Sequence, residues 1–316
     1  MQDPNFINPL TNPIFFYVIK RFILVFVIGF FIILFLKKFK LKGLWRSELG
    51  KRYLSWLVIG VILILFIFLG GIPSLIFLFV VISLALYEFY KMSKLPKLYF
   101  ISLLVFSLVS IIVASYFEKF FYILPIFYFA IFVSIAIYTN DKKGFFNSSI
   151  SLYASIWIIF ALCHFILLGH LNNEIDNTKS LLFLVCFSVP LADIGAYIFG
   201  KAFSNIKFLN KYKIASNISP NKIWAGVLGD IIGAFIGILI MYFSIKNYFS
   251  FWQLFFLAYL IGFFSVVGDL NESMVKRYFK RKDSSNMLPG HGGILDRIDS
   301  ILRVIVVVYY FALSVL

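Results

Sequence analysis

The sequence predicts an all-α polytopic integral membrane protein with about ten transmembrane helices and its functional loops on the cytoplasmic side. Of its 316 residues, 62% are hydrophobic and 14% are charged, whereas soluble domains average about half apolar and about a quarter charged residues. Apolar stretches of roughly 18 residues recur along the chain, as expected for helices that cross a bilayer core about 30 Å thick. The predicted spans are 15–36, 54–70, 72–90, 98–116, 120–138, 147–169, 181–200, 223–244, 251–268 and 301–316.

The first predicted span, 15–36, is interpreted as a membrane anchor that is retained. Its uninterrupted apolar part, "FILVFVIGFFIILFL", follows Lys20 and Arg21, an arrangement that also fits a cleaved signal peptide. The run is followed by "KKFKLK" rather than by the small residues of a cleavage site, which favours the anchor. Cys163 and Cys186 lie in apolar spans without disulfide or metal-site spacing, so we expect small core residues.

The positive charge of the chain predicts its orientation. If the loop 37–53 is cytoplasmic, the loops on that side, together with Arg303, hold 24 of the 29 Lys and Arg residues. This asymmetry follows the positive-inside rule and accounts for most of the net charge of +15 without a nucleic-acid partner. A polyanion-binding scaffold is the alternative. We therefore look for function on the inner side of the cell's inner (cytoplasmic) membrane.

Five acids lie within or at the edge of predicted membrane helices, where ionisable groups are costly and therefore indicate function. They are Glu88, Asp193, Asp230, Asp269 and Glu272. Asp193 lies about two turns inside the cytoplasmic end of its span, where a carboxylate requires a cation or a hydrogen-bond donor. The alternative is an acid that is satisfied by neighbouring hydroxyl groups and serves only helix packing.

The segment "VVGDLNESMVKRYFK" predicts a helix that leaves the membrane into the cytosol. Asp269, Glu272, Ser273, Lys276 and Lys280 fall on one stripe of that helix, at i, i+3, i+4, i+7 and i+11. A solvated amphipathic face has the same periodicity. Because the stripe begins at membrane depth, we favour a functional role.

The stretch "NISPNKIWAG" predicts the start of a helix. Ser219 suits the N-cap position, Pro220 the first helical position and Lys222 the first turn. A base opposes the helix dipole at that end unless an anion binds there. Either Lys222 contributes to a phosphate site, or it only marks the cytoplasmic boundary of the membrane.

The segment "KDSSNMLPGHGGILDRIDS" combines glycines, bases and acids immediately before the last span. The glycines allow the backbone to approach a ligand closely, and Asp296, Asp299 and Arg303 follow at i, i+3 and i+7 of the last helix. Bases and glycines suit phosphate oxygens, while carboxylates suit Mg²⁺. The pattern therefore indicates a metal–polyphosphate site; a flexible loop that only starts a helix is the alternative.

The run "SMVKRYFKRKDSSNMLPGHGGILDRID" resembles the signature of the phosphatidate cytidylyltransferase (CDP-diacylglycerol synthase) family, and "ADIGAYIFGK" and "SPNKIWAG" resemble its two other motifs. The resemblance covers roughly 50–316, including "GG" before the third span and Glu88 near its end. It implies transfer of CMP from CTP to phosphatidate, giving CDP-diacylglycerol and pyrophosphate, with Mg²⁺ as cofactor. It also divides the chain into an additional N-terminal anchor and basic loop (1–50), N-terminal transmembrane helices (51–145) and a catalytic transmembrane region (146–316).

The resemblance also implies roles for individual residues, which we state as expectations. Expected metal ligands are Asp193, Asp269 and Asp296, with Glu272 and Asp299 as supporting or alternative ligands. Expected phosphate-neutralising residues are Lys222, Lys276, Arg277, Lys282, His291 and Arg297. Expected hydrogen-bond donors to substrate are Ser219 and Ser273, beside the glycine backbone at Gly290, Gly292 and Gly293. Ile223 and Ala225 depart from the family pattern, where Thr and then Glu or Gln are usual.

Three alternatives to this activity remain open from the sequence. A related membrane nucleotidyltransferase would use a different lipid phosphate, an ion-coupled transporter would use the buried acids as an ion path, and an inactive relative would explain the departures at Ile223 and Ala225. A monovalent cation beside Mg²⁺ and a homodimer are further possibilities. The expected partners are CTP, phosphatidate and membrane lipid.

Overall fold

The computed structural model describes residues 10, 12, 14–36, 48–171, 178–203, 206, 213–285, 287 and 292–316. These residues form helices and one small two-stranded sheet. The elements, in chain order, are α1 (Phe15–Leu36), α2 (Glu48–Leu69), α3 (Gly71–Ser93), α4 (Lys97–Tyr116), α5 (Glu118–Phe121), α6 (Leu124–Tyr138), α7 (Gly144–Ala154), a π-helical segment (Ser155–Phe160), α8 (Ala161–His170), α9 (Thr178–Phe203), β1 (Lys213–Ala215), β2 (Ser219–Ile223), α10 (Trp224–Ile245), α11 (Phe251–Tyr278) and α12 (Leu295–Val315).

The helices confirm the all-α polytopic membrane class. Within the described part of the chain, eight helices are long and apolar enough to cross a membrane, and two shorter apolar helices, Tyr53–Leu69 and Leu124–Tyr138, occupy the second and fifth predicted spans. The α7, π-helical and α8 segments together form one of the eight, Gly144–His170. The protein is therefore an integral membrane protein, and each predicted span corresponds to a helix.

Helix α11 is longer than its predicted span. It starts with a capping box, in which the Ser250 hydroxyl accepts from the Gln253 amide and the Gln253 side chain accepts from the Ser250 amide. Its 28 residues extend about 42 Å, whereas the hydrocarbon core is about 30 Å thick. The last two or three turns of α11 therefore reach beyond the core, and they carry the predicted polar stripe.

The predicted helix start at Ser219 is wrong. Ser219–Ile223 forms β2, which pairs antiparallel with β1 across a bulge, and α10 begins only at Trp224. The backbone at an N-cap is extended, as in a strand, and a following proline also favours extended backbone. The local pattern therefore could not distinguish the two structures; the hydrogen bonds from β1 decide between them.

Helices α9 and α10 pack with their backbones in direct contact. A Cβ atom at Gly229 would collide with the carbonyl oxygen of Gly195, and one at Gly233 with that of Leu191. Gly237 meets the backbone of Ser188 in the same way. Small residues spaced four apart allow this close approach between membrane helices. The contact fixes the part of α9 that carries Asp193.

Candidate active site

Three carboxylates converge where α11 and α12 meet. Asp269 and Glu272 lie on one face of α11, because residues three apart share a face, and Asp299 lies on α12. Their carboxylate oxygens are all within 4.8 Å of one another. Gly268 makes this possible, since a Cβ there would collide with the Asp299 carbonyl and the Ser300 Cα. We call Asp269, Glu272 and Asp299 the acid group.

The side chain of Glu272 is buried among other acids, with one cationic partner in the described structure. The residue is 1% exposed, and its Oε2 forms an ion pair with Lys276 Nζ at 2.5 Å. The carboxylate of Asp296 also lies beside it. An acid this buried is costly unless it is paired or coordinates a metal. The donor set of the acid group, carboxylate oxygens only, fits a hard divalent cation such as Mg²⁺.

Asp193 lies beside the acid group on α9. Its Oδ1 accepts hydrogen bonds from Ser265 (3.1 Å) and Ser300 (3.4 Å), the residue that follows Asp299. Asp193 is exposed and close enough to Asp269 for their charges to interact. On α10, Asp230 is 3% exposed and interacts electrostatically with Asp193. Four of the five acids singled out in the sequence thus lie together.

Lys222 supplies a positive charge to this site from β2. Its Nζ forms an ion pair with Asp269 Oδ2, and the Asp269 Oδ1 atom accepts a hydrogen bond from Ser273 at 3.3 Å. The prediction that Lys222 belongs to the first helical turn is wrong, since α10 begins two residues later. The hairpin, and not a helix N-terminus, brings this base to the acids.

Asp296 binds the loop before α12. Its Oδ2 accepts from the Ser284 amide (3.0 Å), the Ser284 hydroxyl (2.8 Å) and the Gly293 amide (2.7 Å). Its Oδ1 receives Lys276 Nζ at 2.6 Å, and the same ammonium group contacts Glu272. Asp296 is not one of the three acids of the acid group, but its side chain lies beside Glu272 and both contact Lys276.

Glu88 on α3 holds the same loop from the other side. This residue is 1% exposed. Its Oε1 accepts from the Ser285 hydroxyl (2.6 Å) and the Ile294 amide (2.9 Å), while its Oε2 accepts from the Ser284 hydroxyl (3.0 Å) and the Leu295 amide (2.8 Å). A carboxylate at the first amides of α12 is stabilised by the helix dipole. Glu88 thus fixes where α12 begins.

Gly292 and Gly293 occupy positions where a Cβ atom would collide with neighbouring side chains. Gly292 has φ +79°, which favours glycine, and a Cβ atom at that position would lie 2.6 Å from Asp296 Oδ2. A Cβ atom on Gly293 would overlap the Ser284 hydroxyl and the Glu88 carboxylate. The glycines predicted to face a ligand are thus needed, in the described structure, to let the loop close around two carboxylates.

A comparison with known protein families assigns the chain to one of them. The model of the cytidylyltransferase family matches residues 50–315, a range that contains all the acids and bases described above. The chain belongs to the cytidylyltransferase family.

Three curated bacterial relatives carry the name phosphatidate cytidylyltransferase. The protein from Bacillus subtilis (strain 168) is 29% identical over 276 residues, covering 83% of this chain and 97% of the relative. That from Staphylococcus haemolyticus (strain JCSC1435) is 42% identical over 117 residues, covering 37% of this chain and 43% of the relative. That from Haemophilus influenzae (strain ATCC 51907 / DSM 11121 / KW20 / Rd) is 38% identical over 156 residues, covering 47% and 51%.

The other predicted residues of this cytidylyltransferase-family chain occupy more peripheral positions. Arg277 is exposed, and its Nε donates to the Ile218 carbonyl at 3.5 Å, linking α11 to the hairpin. Ser219 is half-buried in β2, Lys282 is exposed in the loop after α11, and Arg297 is half-buried in the first turn of α12. Gly290 and His291 lie outside the described residues.

Some features of the site could not be read from the sequence. The sequence identifies Glu88 as an acid in a membrane span. Its hydrogen-bonding partners lie about two hundred residues later in the chain, so no local sequence pattern connects them with it. Arg303 lies in the last helix as predicted, but its contact with Asn271 of α11 could not be predicted from the sequence. The assignments of Asp193, Asp269 and Asp296 as metal ligands stay predictions, and the geometry favours Glu272 and Asp299 as partners of Asp269.

Proposed function

We propose that this protein is a phosphatidate cytidylyltransferase, which transfers CMP from CTP to phosphatidate and releases pyrophosphate. The observation that carries the proposal is the acid group of α11 and α12, flanked by Lys222 and Lys276 at a point where α11 leaves the membrane core. Membership in the cytidylyltransferase family and the names of the curated relatives support it. A lipid phosphate and a soluble nucleotide can meet only at such a boundary.

We propose that Asp269, Glu272 and Asp299 hold Mg²⁺, with Asp193 beside them. The bound cation would neutralise phosphate oxygens and so permit two anions to approach. Lys222 reaches the site from the hairpin and Lys276 from α11, and both can contact phosphate oxygens if a ligand displaces their carboxylate partners. Asp296 and Glu88 position the loop that closes beside the site and leave metal binding to the other acids.

The reaction needs positioning more than a general base. A phosphate oxygen of phosphatidate attacks the α-phosphorus of CTP, forming a new P–O bond. The bond between that phosphorus and the oxygen leading to the β-phosphate breaks, and pyrophosphate leaves with the bonding electrons. Because the attacking oxygen is already ionised, the residues of this chain act by orienting both phosphates and by stabilising charge.

We propose that the site faces the cytoplasm in the cell's inner membrane. The loops on the side of the acid group carry most of the Lys and Arg residues, as the positive-inside rule requires of cytoplasmic loops. CTP would then reach the site directly from the cytosol. A monovalent cation beside Mg²⁺ and a homodimer stay predictions.

The test is pyrophosphate release by purified protein given CTP, Mg²⁺ and dioleoyl phosphatidate. We expect release only when all three are present, and loss of release in Asp269→Asn with normal membrane insertion. Asp283→Asn is the matched control, since this acid is exposed in the adjacent loop and should leave release unchanged. Absence of release from the wild-type protein would refute the activity; near-normal release from Asp269→Asn would refute the proposed metal site.

Measuring pyrophosphate release with a panel of lipid phosphates distinguishes phosphatidate from other lipid substrates. If an ether-linked or isoprenoid phosphate supports release much faster than phosphatidate does, the enzyme class stands and the lipid substrate changes. An ion-coupled transporter is less compatible with the structure, because its acids would be expected to trace a path across the bilayer. Here Asp193, Asp230 and the acid group are gathered in one place.

A further inference from the structure

A second polar feature lies at the same end of α11 as the acid group, where the side chain of Arg303 on α12 reaches Asn271. A cavity of about 380 Å³ is lined by side chains of α7, the π-helical segment and α12. These side chains are Ser149, Leu152, Tyr153, Ile156, Trp157 and Arg303. The volume is in the range of small-molecule sites, which begin at about 300 Å³. None of these residues takes part in the site described above.

The guanidinium group of Arg303 has an incomplete set of partners. With the Asn271 amide oriented to suit its donors, its oxygen accepts from Arg303 Nη2 at 3.3 Å and from Trp157 Nε1 at 3.0 Å. The Nε atom of Arg303 is buried and donates to no acceptor among the described residues. Nor does any ion pair within the described part of the chain involve this arginine.

Arg303 starts from a position inside a membrane span, although its guanidinium group reaches back to Asn271 in the last turns of α11. The residue is eight positions into α12, so it lies about 12 Å along the axis from the helix start and about 6 Å beyond Asp299. A permanently charged side chain inside a membrane span is costly, and it normally pairs with an acid or lines a functional path. Asn271 and the Tyr153 hydroxyl supply only neutral dipoles. Within the described part of the chain, the positive charge at this cavity therefore has no carboxylate partner.

The walls of the cavity indicate how an anion arrives there. Ile156 is 40% exposed on the π-helical segment, and Leu152 lies one turn before it. Ile156 is exposed on a membrane-spanning segment, so its side chain can contact lipid hydrocarbon. A lipid phosphate can enter sideways between these side chains with its acyl chains still in the bilayer.

We propose that this cavity binds the phosphate group of an anionic lipid, through Arg303 and with Leu152 and Ile156 against its acyl chains. The proposal rests on the proposed function for the identity of that lipid, phosphatidate. Asn271 orients the guanidinium, and Tyr153 and Trp157 form the walls. Because Asn271 lies between Asp269 and Glu272 in α11, the lipid phosphate would bind on the same two helices that carry the acid group.

The first experiment uses Trp157 as a reporter, with no CTP or Mg²⁺ present. The full chain is placed in phosphatidylcholine nanodiscs, and its tryptophan fluorescence is titrated with phosphatidate or phosphatidylcholine that carries bromine in the acyl chains. We expect phosphatidate to quench at a mole fraction about tenfold lower than phosphatidylcholine, since a charge-assisted hydrogen bond adds roughly that preference. Trp157→Phe should remove the difference. Equal quenching by the two lipids would overturn the proposal.

The second experiment removes the charge. Arg303→Gln should abolish the preference for phosphatidate, whereas Arg303→Lys should keep part of it. Lys179→Gln is the matched control: this base also lies at a membrane span, but its Nζ donates to the Phe68 carbonyl, and the preference should persist. A preference that survives in Arg303→Gln would overturn the proposal. So would competition by glycerol 3-phosphate or CTP, which would indicate a soluble phosphate as the ligand.

Turnover on the same preparations separates this inference from the proposed function. In Arg303→Gln we expect the KM for phosphatidate to rise about tenfold while the KM for CTP stays constant. If wild-type protein prefers phosphatidate in the quenching experiment but releases no pyrophosphate, the proposed function fails and the lipid site stands. If wild-type protein turns over but shows no quenching preference, the function stands and the lipid site fails.

Discussion

Replacing Glu88 by Gln tests whether a carboxylate on α3 positions the loop beside the acid group. Each Glu88 oxygen accepts one hydroxyl and one backbone amide: Ser285 and Ile294 at Oε1, Ser284 and Leu295 at Oε2. Glutamine retains one carbonyl oxygen, so its NH₂ group must face one of these pairs. The hydroxyl of that pair can rotate and accept, but the backbone amide cannot.

The expected magnitude follows from this geometry. One buried amide without an acceptor costs about 1–3 kcal/mol, and loss of the negative charge at the start of α12 adds about 0.3–2 kcal/mol. The closed loop should therefore be destabilised by about 2–4 kcal/mol, which is a factor of roughly 30 to 1,000 in its opening equilibrium. Because Asp296 binds the same loop, the fraction of enzyme with a complete site falls with it.

Hydrogen exchange of the amides of Ile294 and Leu295, measured by mass spectrometry, should accelerate within that range in Glu88→Gln. CDP-diacylglycerol formation at saturating CTP should fall in proportion to the fraction of enzyme with a closed loop. Asp283→Asn, in the same loop but exposed, should leave both measurements unchanged. Exchange and turnover rates in Glu88→Gln equal to those of the wild-type protein would refute the positioning role. They would mean that the loop closes without the hydrogen bonds and the negative charge of Glu88.

Three further predictions concern the rest of the bundle. Lys276→Met leaves two buried carboxylates without their shared cation and should destabilise the protein by about 3–5 kcal/mol in thermal unfolding in detergent; an unchanged melting temperature would contradict the burial of this network. Gly233→Leu should prevent α9 and α10 from packing and abolish folded protein. Gly200→Ala should leave the yield of folded protein unchanged, since a Cβ atom there would have nothing within 4 Å. Equal yields of folded protein from the two variants would contradict the backbone contact. Asp299→Asn should raise the Mg²⁺ concentration for half-maximal activity at least about tenfold. Asp296→Asn should lower turnover without changing that Mg²⁺ concentration. The opposite result would identify Asp296, and not Asp299, as the metal ligand.

The membrane class and the approximate spans could be predicted because they depend on composition and on runs of apolar residues. The same was true of the polar stripe from Asp269 to Lys276, since helical periodicity alone puts those residues on one face. The wrong prediction of a helix start at Ser219 arises because the local sequence fits two structures. An N-cap and a strand share the same local backbone, and only the pairing of β2 with β1 selects the strand.

The sequence by itself determined that the chain is a membrane protein, which residues are acidic at membrane depth, and that its motifs resemble those of cytidylyltransferases. Only the tertiary structure decided how those acids divide. It brings Asp269, Glu272 and Asp299 together, and it turns Asp296 toward the loop that Glu88 also binds. The reason is that spacing along a helix specifies the direction of a side chain, whereas its partners depend on which helices meet and how closely their backbones approach.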